Sequence, residues 1–338
     1  MNPKPHDAET PFREPPESLT PEGEVRRVGF ELELSGLELR ELAEEVARVW
    51  GGAVESENPY RHRIVGADAG EVTVELDWNL LSEAKLQERL DDLDPGQDFR
   101  ELTDFLEEKV AELAQTVVPL EIITPPLPID RLGILDVLRD RLRELGAVGT
   151  GGSLAYAFGL HLNPEVPSFG GESILRHLRA FLLLYDWLCE RQEIDFTRRV
   201  VPFINAFPRD YVKRVMAAGY EPSRERLIDD YLEDNPTRNR PLDLLPLFAH
   251  VDPDRVFEHL DDDLVKARPT YHYRLPNCRI DDPEWRIAEE WNLWLRVEEL
   301  AADGERLAEM VPAYREFLDA PLSFLSGPWR ERVEKEWL

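Results

Sequence analysis

Residues Val28-Gly29-Phe30-Glu31-Leu32-Glu33-Leu34 alternate apolar and acidic side chains. Successive side chains on a strand point to opposite faces, so Phe30, Leu32 and Leu34 share one side while Glu31 and Glu33 share the other. The pattern predicts a β-strand with one packed face and one acidic face, the two acidic Cα atoms roughly 6–7 Å apart. Such a carboxylate pair is either the solvated side of an antiparallel strand or, in a cleft, a pair of oxygen ligands for Mg²⁺ or Mn²⁺. The segment alone leaves both readings open.

The same alternation recurs along the chain. Arg61 to Val65 and Glu71 to Trp78 read as a hairpin about Gly66-Ala-Asp-Ala-Gly70, with Val72, Val74, Leu76 and Trp78 on one face and Glu75 and Asp77 on the other. Leu120 to Thr124 is a short apolar strand that carries one carboxylate, Glu121, and is ended by Pro125-Pro126. Ala155 to Asn163 sets Tyr156, Phe158, Leu160 and Leu162 against Ala155, Ala157, Gly159, His161 and Asn163. Those small side chains either leave room for a ligand or pack beneath a helix, with His161 a core histidine in the second case. Thr270 to Leu275 sets Tyr271, Tyr273 and Leu275 against His272 and Arg274.

Helical spacing of apolar residues covers 39–50, 99–116, 129–145, 172–191, 209–218, 223–232, 283–302 and 304–318, and Asp252-Pro253 marks a further helix start. Ser223 is the expected N-cap of the helix over 223–232. The Trp291 and Trp294 row is expected in the core. The glycine-rich run from Gly146 to Gly152 follows a helix and precedes a strand, the reverse of a phosphate loop, and no lysine follows it. The expected class is α+β: a mainly antiparallel sheet with helices on one face and Glu31, Glu33, Asp77, Glu121, His161, His272 and Arg274 on the other. Residues 1–23, rich in proline, read as an extended tail, 24–320 as the domain and 321–338 as a C-terminal extension.

Composition narrows the function. The chain of 338 residues is 42% hydrophobic, enough for a sizeable core. Its net charge of -29 opposes binding to nucleic acid or to an anionic membrane. Six Lys against thirty-four Arg gives an acidic, lysine-poor surface suited to raised salt. Two cysteines allow neither a disulfide framework nor a CxxC zinc site. No apolar run approaches the roughly 20 residues that span a bilayer, and residues 1–23 lack a signal-peptide core, so a cytoplasmic location is expected.

In this order the motifs resemble those of the amidoligases, carboxylate-amine ligases related in fold to glutamine synthetase and glutamate-cysteine ligase. Gly29-Phe-Glu-Leu-Glu33 is similar to the family's G-x-E-x-E strand. Val74-Glu-Leu-Asp77 and Leu120-Glu-Ile-Ile-Thr-Pro-Pro126 are similar to its D-x-S and E-[LIV]-[VI]-[ST]-P pair, and Gly159-Leu-His-Leu-Asn163 to its G-x-H-[VI]-[HN] strand. Arg238-Asn-Arg-Pro-Leu-Asp243 and Tyr271-His-Tyr-Arg274 resemble the late K/R-x-x-x-L-N segment and E-[FY]-R strand.

The resemblance implies a glutamine-synthetase-like catalytic domain, ATP with Mg²⁺ or Mn²⁺, and amide formation between a small-molecule or peptide carboxylate and an amine through an acyl phosphate. By position, Glu33 and Glu121 would hold one metal, and Glu31 with His161 the metal nearer the phosphate. Asp77 would serve the first metal or the amine, Arg274 and Arg240 the transferring phosphoryl group or the substrate carboxylate, and Arg238 and Asn163 the nucleotide. The chain departs from the family at His272, where Glu is usual and a metal ligand is implied, at Asp243, where Asn is usual, and at Trp78-Asn79, where Gly-Ser follows the aspartate. These departures leave a second function open: a lapsed ligase fold that binds a partner.

Overall fold

Strand β1 (Arg27–Leu34) is buried on both faces, with only Arg27 exposed. The alternation in its sequence predicts the strand and its packed face; the burial of the acidic face and the place between β5 and β7 come from the sheet. A computed structural model describes residues 11–76, 119–150, 159–194, 204–260, 265–320 and 328–338. Asp77, the expected helix over 99–116 and Ala155 to Phe158 lie outside them. Among the described residues the protein is α+β, with ten helices and a nine-stranded sheet whose pairings are all antiparallel. No helix among them is long and apolar enough to cross a membrane.

The sheet runs β2 (Ala53–Asn58), β3 (Arg61–Val65), β4 (Val72–Leu76), β5 (Leu120–Ile123), β1, β7 (Leu160–Pro164), β9 (His272–Tyr273), β8 (Leu242–Asp243), with β6 (Leu127–Pro128) paired to the end of β1. The hairpin between β3 and β4 turns at Gly66 and Gly70, both at positive φ, a conformation glycine adopts at no steric cost. Strand β2 carries no apolar alternation, its side chains being largely exposed at the sheet edge, so nothing in its sequence announces it. The expected strand over Thr270 to Leu275 keeps regular pairing only at His272–Tyr273, while Thr270 makes a single bridge to Glu165 and the Tyr271 and Arg274 N–H groups donate to the carbonyls of Pro164 and Pro241.

Helices cover the apolar face. α1 (Leu39–Trp50) buries Leu42, Ala43, Val46 and Trp50 and stops at Gly51, which is left-handed and donates its N–H to Ala47. Its Trp50 Nε1 donates to the carbonyl of Gly70 at 3.1 Å, tying helix to hairpin. The expected helix over 129–145 resolves into a 3₁₀ turn and α2 (Gly133–Glu144). The 21-residue α3 (Gly171–Arg191) is largely buried. Beyond it lie α4 (Arg209–Val215), α5 (Arg224–Asp234), α6 (Leu245–Val251) and α7 (Pro253–His259), with Ser223 and Asp252 capping α5 and α7 by accepting from Arg226 and Arg255. α8 (Ile287–Ala302) starts four residues later than its pattern suggests; Asp136 of α2 accepts from the Ile287 N–H at 2.8 Å. Tyr271 and Tyr273 of the β9 segment meet Trp294 of α8, at ring separations of 5.7 and 5.1 Å. α9 (Gly304–Asp319) follows, and α10 (Trp329–Glu336) docks on α3, where Trp329 Nε1 donates to the Leu183 carbonyl.

Candidate active site

With Val28, Phe30, Leu32 and Leu34 committed to the core, the pleat turns Gly29, Glu31 and Glu33 to the other side of the sheet. Register then decides who meets them. Glu33 lies directly opposite Glu121 of β5, and Glu121 opposite Glu75 of β4, a row of three carboxylates ended by Arg61, whose Nε lies 3.0 Å from Glu75. Glu31 lies opposite His161 of β7, and Asp243 of β8 opposite His272 of β9. Like charges opposed across strands are unfavourable, so such a row is built to meet cations.

The contacts are short. His161 Nδ1 lies 3.0 Å from Glu31 Oε2 and its Nε2 3.6 Å from Glu33 Oε1. Asn163 Nδ2 and Arg268 Nη1 both donate to Glu31 Oε1, at 3.1 and 2.8 Å. Glu33 Oε2 accepts the Gly159 N–H at 2.6 Å. The rings of His161 and His272 stand edge to face, 5.3 Å apart. Two donor sets emerge among the described residues, Glu31 with His161 and His272, and Glu33 with Glu121 and His161; within each, the ligand atoms lie within 4.8 Å of one another.

Burial sets the protonation. It opposes a charge on Glu31, yet the hydrogen bond from His161 and the nearness of His272 prevail and hold this carboxyl well below its usual range. His161 is driven down to about 3, first by burial and then by the Arg274 charge, against the pull of Glu31. It is therefore a neutral imidazole, the form that can ligate a metal. His272 is also penalised by burial, but Asp243 and Glu31 outweigh it and raise its pKa.

Of the residues anticipated from sequence, Glu31, Glu33, Glu121, His161, Asn163 and His272 come together on this floor. Arg274 is 9% exposed and acts electrostatically on both histidines, while its Nη1 donates to the Arg238 carbonyl and, at 3.4 Å, to Asn239 Oδ1. Arg240 donates to the carbonyls of Asn205, Ala206 and Asp234 and lies over the Phe207 ring. Those contacts fasten a loop, and none of them reaches the Glu31 cluster. Arg268 was not anticipated. It sits in an irregular stretch just before Pro269, where no periodicity singles it out.

A sequence model of the family described as "Putative amidoligase enzyme" matches residues 24–296, more than half of the chain. Comparison with curated proteins and with solved structures found no match.

Proposed function

The chain belongs to the amidoligase family, and from that premise we propose that it is an ATP-dependent carboxylate-amine ligase with a glutamine-synthetase-like catalytic fold. The observation that carries the reading is the pair of donor sets around His161 on one sheet face. Their chemistry fits divalent cations: carboxylate oxygens and a neutral imidazole, clustered where unneutralised charge would be costly. Glu33 and Glu121 would hold one ion, Glu31 and His161 the other, with His272 as a further donor. Mg²⁺ or Mn²⁺ bound there would supply charge neutralisation for γ-phosphoryl transfer to a substrate carboxylate.

The remaining roles belong to the chain's own side chains. Asn163, bonded to Glu31, would orient that carboxylate and help seat the nucleotide, alongside Arg238. Arg274 would stabilise negative charge on the transferring group, a guanidinium being suited to phosphate geometry. Asp77 would accept a proton from the attacking amine. Arg240, with its backbone contacts, would shape the loop that carries Arg238. The substrates would be a small-molecule or peptide carboxylate and an amine, in a cytoplasmic setting, with neither nucleic acid nor membrane as partner.

The test is phosphate release from ATP with Mg²⁺ across a panel of amino acids, short peptides and amines, with mass spectrometry for the new amide. Release that requires both acid and amine supports the ligase. If millimolar ATP and metal neither bind nor raise the melting temperature, the ligase reading fails and a lapsed, partner-binding fold takes its place.

A further inference from the structure

The two donor sets differ in kind. One offers two imidazoles and a carboxylate, the other one imidazole and two carboxylates. A neutral imidazole has a single in-plane lone pair, so the nitrogen that keeps the proton decides whether the ring can ligate. For His272 the backing residue settles this. Its Nδ1 lies 3.4 Å from Oδ2 of Asp243, a carboxylate 1% exposed whose other oxygen accepts the Leu245 N–H at 2.9 Å. The fixed carboxylate draws the ring proton to Nδ1 and leaves the Nε2 lone pair free.

That Nε2 is shielded from solvent, has no hydrogen-bond partner among the described residues, and lies 3.7 Å from Glu31 Oε2. The gap is too long for a hydrogen bond. Two ligands held at about 2.1 Å from one ion, at angles of roughly 90–120°, stand about 3.0–3.6 Å apart. The His272–Glu31 gap is therefore close to that of two ligands sharing an ion. Beside it, Asn163, 5% exposed, gives Nδ2 to Glu31 while its Oδ1 is shielded and without a partner among the described residues, an acceptor for an ion-bound water.

We infer that Glu31, His161 and His272 form a position for a transition-metal dication, Mn²⁺, Fe²⁺, Co²⁺ or Zn²⁺, in preference to Mg²⁺, with Asp243 as the positioning residue that fixes the His272 tautomer. Imidazole nitrogen suits these ions, whereas Mg²⁺ is a hard cation that takes oxygen ligands. A carboxylate behind a ligating histidine raises its basicity and holds its orientation. His161 has one lone pair for two positions: without metal its Nδ1 proton is held by Glu31 at 3.0 Å, so joining this position moves the proton to Nε2, 3.6 Å from Glu33 Oε1, and leaves Glu33 and Glu121 as the oxygen pair for Mg²⁺. The inference deepens the ligase reading and rests on it only for the use made of the site, because metal binding needs no nucleotide.

The experiment is titration of the chelator-treated full chain, without nucleotide, by calorimetry with Mg²⁺ and Zn²⁺ and by visible absorption with Co²⁺. One Co²⁺ or Zn²⁺ position at least 100-fold tighter than Mg²⁺ is expected. Asp243→Asn should weaken it by about 10–100-fold, and His272→Glu should move the preference toward Mg²⁺. Equal Mg²⁺ and Co²⁺ affinity in the wild type, or unchanged Co²⁺ affinity in a folded His272→Glu or Asp243→Asn protein, overturns the inference. If Asp243→Asn fails to fold by circular dichroism, the wild-type ratio and His272→Glu still decide. An intact Co²⁺ position in a protein that never releases phosphate from ATP removes the ligase reading and leaves this one standing.

Discussion

Arg268 Nη1 stands 2.8 Å from Oε1 of Glu31, 237 positions earlier in the chain. The guanidinium is 39% exposed and the carboxylate 10%, so one arm of the fork holds Glu31 while part of the group stays open to solvent. A cation in that place competes with any metal for the same carboxylate, and it is the natural partner for a phosphate or carboxylate arriving beside the metal.

Arg268→Ala should therefore act with opposite signs on two ligands. Metal affinity in the absence of nucleotide should rise several-fold, because a competing charge is gone. Binding of ATP with metal should weaken about tenfold or more, a charge-assisted contact being worth that much. Stability should change by less than about 1 kcal/mol, as for other partly exposed pairs. Calorimetric titrations with and without ATP read both; a loss of affinity for metal alone would show that Arg268 supports the site instead of competing in it.

Glu31→Gln and Glu33→Gln should leave the fold intact and remove metal-dependent nucleotide binding by at least about tenfold, since each takes one anionic ligand from its set. Circular dichroism melts together with nucleotide titration in Mn²⁺ separate the outcomes. Lowered stability with undiminished nucleotide affinity would make the carboxylates structural.

Behind the floor, Glu290 accepts from Trp285 Nε1 at 2.8 Å and from Gln192 Nε2 at 2.6 Å. Burial nevertheless pushes its carboxyl up from 4.5 to about 7. A carboxyl whose folded pKa is raised binds its proton more tightly when native, so its contribution is fullest below 4.5 and is lost as pH rises toward 7. The loss amounts to about 3 kcal/mol. Urea unfolding of wild type and Glu290→Gln at pH 5 and pH 8 isolates it: the variant should gain on wild type by about that amount between the two. A difference that stays flat with pH would rule the shift out.

Arg26 and Glu298 form a buried two-pronged pair, at 2.8 and 2.7 Å, with side chains 2% and 1% exposed. Arg26 also donates to the carbonyls of Glu17 and Glu165. Arg26→Ala strands the Glu298 charge and should cost about 3–5 kcal/mol. Adding Glu298→Gln should restore part of it, measurable as a partial recovery of the melting temperature. A loss under about 1 kcal/mol in the single variant would mean that water reaches Glu298.

How much of this was legible in the chain varies with the range of the interaction. The alternation in 28–34 and 120–124 determined which side chains share a face, and Ser223 and Asp252 marked helix starts, because pleat, helical turn and cap are set by neighbours a few residues apart. The motif order pointed to the family. Length was less legible: β9 is regular only at His272–Tyr273, and α8 starts where a residue of α2 caps it.

The tertiary structure alone decided the pairings. Nothing local states that Glu31 meets His161, that Glu121 stands between Glu33 and Glu75, or that Asp243 backs His272. Those depend on strand order and register, fixed by how the apolar faces of distant segments pack together. Arg268 illustrates the limit, lying outside any repeating pattern and reaching Glu31 only because the chain returns there. Side-chain chemistry is written residue by residue, but the distance between two side chains far apart in sequence is a property of the folded core.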